Sequence, residues 1–78
     1  MNAQYTYDYD KRADVLYAFI DNFRGEGITE EPFEGVLIRR DKKNYTNIIG
    51  FTILYYKRQK RDGYLKDIPF FDLTKIPF

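Results

Sequence analysis

The 78-residue sequence contains no cysteine, histidine, serine or tryptophan, and these absences remove whole classes of chemistry. Without cysteine there is no disulfide, and without cysteine and histidine there is no thiolate- or imidazole-ligated zinc. Without serine as well, no serine or cysteine triad can be assembled. The remaining hydroxyl nucleophiles are threonines and tyrosines, and no base suited to neutral pH lies near them in the sequence. Long hydrophobic runs are also missing. The longest, Val15 to Ile20, falls far short of the ~20 residues that a membrane-spanning helix needs. Met1 to Asp8 has neither the basic n-region nor the apolar h-region of a signal peptide. The expectation is a cytoplasmic, non-enzymatic chain with no membrane association, cofactor or metal, in which the sequon Asn44-Tyr45-Thr46 is idle.

What is abundant is aromatic: eight tyrosines and seven phenylalanines, each able to bury roughly 150–250 Å². A chain this short holds one core, and that core rarely contributes more than about 3–5 kcal/mol on its own. With disulfides and zinc excluded, aromatic packing and oligomerisation are the staples left. The formal net charge of +1 hides an asymmetry. Residues 1–35 hold eight acids against three bases, a net of −5, whereas residues 36–78 hold ten bases against four acids, a net of +6. Such a split marks either a nucleic-acid-binding tail or two strips that face each other within a fold or across a symmetric interface.

The hydrophobic period is two. Tyr5-Thr6-Tyr7-Asp8-Tyr9 alternates strictly, as a half-buried strand does, and Asp10 to Asp14 is a polar turn. Val15 to Ile20 is apolar on both faces. Leu16, Phe19, Ile20 and Phe23 also fit a helical stripe, but β-branched and aromatic content favours a strand. Asp21 to Gly27 is a loop, and Ile28 to Phe33 reads as irregular or edge-like because Pro32 cannot donate to a ladder. Val36–Arg40 and Ile48–Tyr56 form a hairpin, with Lys57 to Gly63 a charged link beyond it. The fold expected is all-β: a four-stranded antiparallel meander (5–9, 15–20, 36–40, 48–56) over residues 1–63. Residues 64–78 form an extended C-terminal arm, in which Ile68-Pro69-Phe70 recurs as Ile76-Pro77-Phe78. A single small sheet cannot bury two apolar faces in water, so the sheet is expected to pack in an oligomer with the arm on its own or a partner subunit.

The motifs that could carry chemistry have structural explanations. Asp8, Asp10 and Asp14 begin like a calcium loop, but Arg12, Ala13 and Phe19 stand where its fifth, sixth and twelfth positions need an acid, Gly and Glu. They read as turn-shaping aspartates. Gly25-Glu26-Gly27 lacks the third glycine and the strand-then-helix context of a dinucleotide fingerprint. The bases cluster at Arg39-Arg40-Asp41-Lys42-Lys43 and Lys57-Arg58-Gln59-Lys60-Arg61. In the hairpin these lie at opposite ends, roughly 30 Å apart at ~3.3 Å per residue. The second cluster is expected beside Glu30, Glu31 and Glu34, so nucleic acid is a weaker expectation than protein.

Tyr9-Asp10-Lys11-Arg12-Ala13-Asp14-Val15-Leu16-Tyr17, Glu34-Gly35-Val36-Leu37-Ile38-Arg39-Arg40-Asp41 and Ile48-Ile49-Gly50-Phe51-Thr52-Ile53-Leu54 occur in that order. In these blocks the sequence resembles the small bacterial and cyanobacterial domain-of-unknown-function family 2283. The family has no established activity, and some members lie beside small toxin-like genes. The resemblance therefore implies protein binding, with an antitoxin-like regulator of a toxin or nucleic acid as the alternative. The function expected is a protein-interaction module acting as a homodimer. Its candidate interaction surface is Phe51, Tyr55, Tyr56, Phe70, Phe71 and Phe78.

Overall fold

Alternation of Tyr5, Tyr7 and Tyr9 with Thr6, Asp8 and Asp10 builds the first strand, β1 (Tyr5–Asp10), with its tyrosines half-buried and its polar residues exposed. The computed structural model describes residues 5–21, 23, 25–65 and 76–78. In it, β1 is followed by β2 (Val15–Ile20), β3 (Gly27–Phe33), β4 (Val36–Asp41), β5 (Ile48–Leu54) and α1 (Tyr56–Asp62). All strands pair antiparallel in one sheet, in the order β1-β2-β5-β4-β3. The domain is mainly β, as expected, but it is not a four-stranded meander.

Two differences account for this. Ile28 to Phe33 belongs to a fifth strand, at the sheet edge as its proline requires, and its register shifts between Glu30 and Phe33 around Pro32. The most apolar strand, β5, takes the centre and separates β2 from β4, so the chain skips a neighbour after β2. Gly50 on β5 has a steric reason to be glycine. A Cβ there would lie 2.8 Å from the Ala18 carbonyl oxygen on β2, and the β4–β5 register shifts next to it, between Arg39 and Arg40.

One sheet face holds the core. Leu16, Ala18, Val36, Phe51 and Ile53 meet there with Tyr5, Tyr7 and Tyr9 packed against them. Tyr5 and Tyr7 set their rings on Phe51 with centroids 5.4 and 6.3 Å apart, in the edge-on geometry aromatic pairs prefer. The expected strand 48–56 ends two residues early. Tyr55 turns left-handed, with φ 54° and ψ 45°, which breaks the alternation. Tyr55 is thereby turned out to solvent, and Tyr56 is turned into the core.

Residues 57–61, expected as a link, are helical. Gly63 at φ 80° closes α1, with its N–H on the Lys60 carbonyl and that of Tyr64 on Gln59, a Schellman arrangement. The start of α1 has no side-chain cap of its own. The cap comes from Asp14, at the end of the β1–β2 turn with φ 55°. The Asp14 carboxylate accepts the N–H groups of Lys57 at 2.9 Å and Arg58 at 3.4 Å, and its carbonyl accepts that of Tyr56 at 2.9 Å. Tyr9 donates its hydroxyl to the same carboxylate at 2.6 Å.

Leu65 and Ile76 also enter this core, and the carbonyl of Phe78 accepts from Tyr56 Oη at 2.9 Å and Lys60 Nζ at 3.0 Å. The rest of the expected arm, with Phe70 and Phe71, lies outside the described residues. Among the described residues no helix is long and apolar enough to cross a membrane.

Desolvation pushes the Asp14 pKa up, but the hydrogen bonds from Tyr9, Lys57 and Arg58 and the Lys57 charge outweigh it, and the net shift is downward. A carboxylate held below its ordinary value contributes stability above the unfolded pKa of ~3.9 and loses it as pH falls through the folded value. Asp14→Asn, which tolerates the left-handed backbone and can still accept at the helix start, loses the charge there and is expected to destabilise the fold by up to about 1 kcal/mol at neutral pH. Denaturant titrations of both proteins should show that gap closing as the pH drops below ~4.

Candidate functional site

Two surfaces follow from this frame. The first is a cleft of about 810 Å³ where the β3–β4 hairpin tip, the exit of β5 and the outer side of α1 converge. Gly35, at φ 77°, forms the tip. Its carbonyl accepts from Leu54 N–H at 2.7 Å, and its own N–H donates to Glu31 Oε2 at 3.0 Å. Gln59 reaches back from α1 and donates to the Leu54 carbonyl at 2.6 Å, lying where a Cβ on Gly35 would meet its Nε2 at 2.8 Å. The floor is therefore tied by backbone on one side and by a side-chain amide on the other.

The walls are charged and aromatic. Arg58, Gln59 and Asp62 line one helix side, with Tyr55 just before the helix and Tyr64 just after it. Glu31, Phe33 and Glu34 line the opposite wall. Among the described residues, three carboxylates thus face the cleft with the Arg58 guanidinium, and Asp62 pairs with Arg61 at 3.5 Å. Tyr55 and Tyr64 are 58% and 69% exposed, high values for rings that could have been buried in so small a protein.

The second surface is the sheet face opposite the core. Cross-strand pairing lays out the row Asp8–Tyr17–Thr52–Leu37 and the row Thr6–Phe19–Gly50–Arg39. Tyr17 and Phe19 are 41% and 45% exposed on it. Gly50 leaves a notch between Phe19 and Arg39. Asp8 and Asp10 occupy the β1 margin, and Arg39 lies towards the β3 margin.

Of the residues expected to form an interaction surface, Phe51 and Tyr56 are core residues and Tyr55 lines the cleft. The Phe78 ring lies 5.5 Å from Tyr9, and Phe70 and Phe71 are outside the described residues. Tyr17, Phe19 and Tyr64 were missed. The alternation within Val15–Ile20 carried the signal for the first two. Asp10 shapes its turn, accepting N–H groups of Arg12 and Ala13 at 3.0 and 3.2 Å. Asp14 serves the helix instead. Hydrogen bonding to Asp14 and then desolvation push the Tyr9 phenol up to about 12, so it remains a donor.

Among the described residues the bases of 39–43 and 57–61 do not form one track. Arg40 pairs with Glu30 at 3.2 Å and lies 5.1 Å from the Tyr45 ring, and Tyr45 donates to the same Glu30. Lys42 pairs with Glu26 at 3.0 Å. On the helix, Lys57 and Lys60 sit over the Tyr56 ring at 5.8 and 5.7 Å, and Arg58 enters the cleft that Glu31 and Glu34 line. Arg40 pairs opposite Ile48, so β5 separates the two groups by about 20 Å.

No protein family, curated protein or solved structure matches this chain. The likeness to family 2283 rests on the quoted blocks alone.

Tyr55 departs from local preference. The left-handed conformation costs a non-glycine residue about 1–2 kcal/mol, and glycine or asparagine fills it with less strain. An exposed tyrosine there recovers little of that by burial. Tyr55→Gly and Tyr55→Asn are expected to melt at or above the parent temperature, by up to ~1 kcal/mol of added stability. A loss of stability in either thermal melt would make Tyr55 a structural residue rather than a surface one.

Proposed function

We propose that this chain is a non-enzymatic, cytoplasmic protein-interaction module that works as a homodimer through the open face of its sheet. The observation that carries this is the pair of exposed rings, Tyr17 and Phe19, on a face whose other side is already the core. That face is self-complementary. A two-fold axis running along the strands, in the plane between two stacked copies, sets the acidic β1 margin of one against the Arg39 side of the other. The apolar middle, with Leu37 beside the two rings, then leaves water on both copies at once. The absence of histidine, cysteine and serine supports the non-enzymatic part. The local pairing of Arg40 and Lys42 supports protein over nucleic acid.

Sedimentation equilibrium is expected to give a dimer that Phe19→Asp, and separately Tyr17→Asp, converts to a folded monomer. A parent protein that stays monomeric at millimolar concentration would sink the proposal. So would binding to mixed DNA or RNA that falls steeply with salt.

A further inference from the structure

We propose that the cleft between the β3–β4 hairpin tip and α1 binds a lysine- or arginine-bearing segment of a partner protein. This deepens the interaction-module reading but does not use the open sheet face.

The sign of the charge comes first. Among the described residues, Glu31, Glu34 and Asp62 line the cleft with Arg58, and Arg61 pairs with Asp62 at 3.5 Å. Three carboxylates against two guanidiniums leave a net negative lining, so a cationic ligand is favoured over an anionic one. This excess lies in a chain whose net charge is +1, against the overall balance. The second feature is aromatic. Tyr55 and Tyr64 present largely exposed rings at the same cleft. A cation beside carboxylates and over such rings gains both ion pairing and the attraction of the ring face. Tyrosine is also among the residues that most often dominate protein interfaces.

Size and rigidity choose a polypeptide segment over a small amine. A volume of about 810 Å³ lies towards the upper end of the roughly 300–1,000 Å³ of ligand pockets, more than one amine fills. The floor is preorganised by the Gly35–Leu54 and Gln59–Leu54 hydrogen bonds, so little ordering is required when a segment enters. Tyr55 gives the third feature. Its left-handed turn, which sends Tyr56 into the core, leaves its own ring exposed at the cleft.

The test is a ¹H–¹⁵N titration of the full chain with a short peptide alternating arginine and alanine. A counterpart with citrulline in place of arginine keeps the shape and removes the charge. The arginine peptide is expected to shift amides of residues 33–36, 54–59 and 62–64, and to bind at least about tenfold more tightly than the citrulline peptide. Glu34→Gln combined with Asp62→Asn, and separately Tyr55→Gly, should each weaken it about fivefold or more while melting as folded proteins. Phe19→Asp should bind it as the parent does, which separates failure of the dimer from failure of the cleft. Equal affinity for the two peptides would overturn the proposal. So would shifts centred on Asp8 and Asp10, or cleft variants that bind as the parent does.

Discussion

The carboxylate of Asp14 joins the two halves of this domain. A seven-residue helix cannot hold itself in water, because the cost of nucleation is spread over too few hydrogen bonds. The residue before α1 offers no side-chain cap. Asp14 supplies the missing acceptor from the far end of the β1–β2 hairpin, placing a negative charge where the helix dipole favours one. Because Tyr9 donates to the same group and packs 5.8 Å from Tyr56, the cap also fixes the side of the sheet on which the helix lies. Helix, cleft wall and core closure all follow from that placement.

The consequence is a sheet with two unlike faces. On one, Tyr56, Leu65 and Ile76 pack with Leu16, Ala18, Val36, Phe51 and Ile53 of β2, β4 and β5. Each Leu, Ile or Phe withdrawn there is worth about 1.5–3 kcal/mol, comparable with the net stability of so short a chain. The reversal at Tyr55 is the hinge of this asymmetry. A strand continued through 56 would have sent Tyr56 to the open face and removed from the core one of its largest side chains. One left-handed residue therefore closes the core and creates the cleft at once.

Much of this was legible in the sequence. Val15–Ile20 was read at its observed boundaries. The alternation of Tyr5, Tyr7 and Tyr9 marked the first strand as half-buried. The errors came where two local signals competed. Pro32 argued against a strand and was right about the edge but wrong about pairing, because a bulge absorbs the missing donor. The run Lys57 to Arg61 looked like a solvated link. Yet bases in a last turn followed by Gly63 are a helix-stop signal, and Tyr56 supplies the buried anchor. The Asp14 cap was not legible from the primary sequence, since its partners lie 43 and 44 residues away.

The edges of the sheet bear on how the domain can associate. An exposed edge strand invites uncontrolled pairing, and both edges here are blunted. β3 carries Pro32 and a register shift, which interrupts the regular run of donors and acceptors that an added strand would read. β1 turns Asp8 and Asp10 outward, so two copies meeting β1 to β1 would bring like charges together. Side-by-side growth of the sheet is thus disfavoured at each end. Of the exposed apolar and aromatic groups, Tyr17 and Phe19 lie on the open face and Phe33, Tyr55 and Tyr64 line the cleft. Association across the face closes on itself by symmetry, whereas pairing that uses both edges, or joins unlike edges, extends indefinitely. The distribution of charge and proline therefore works against edge pairing and is compatible with the proposed association across the open face.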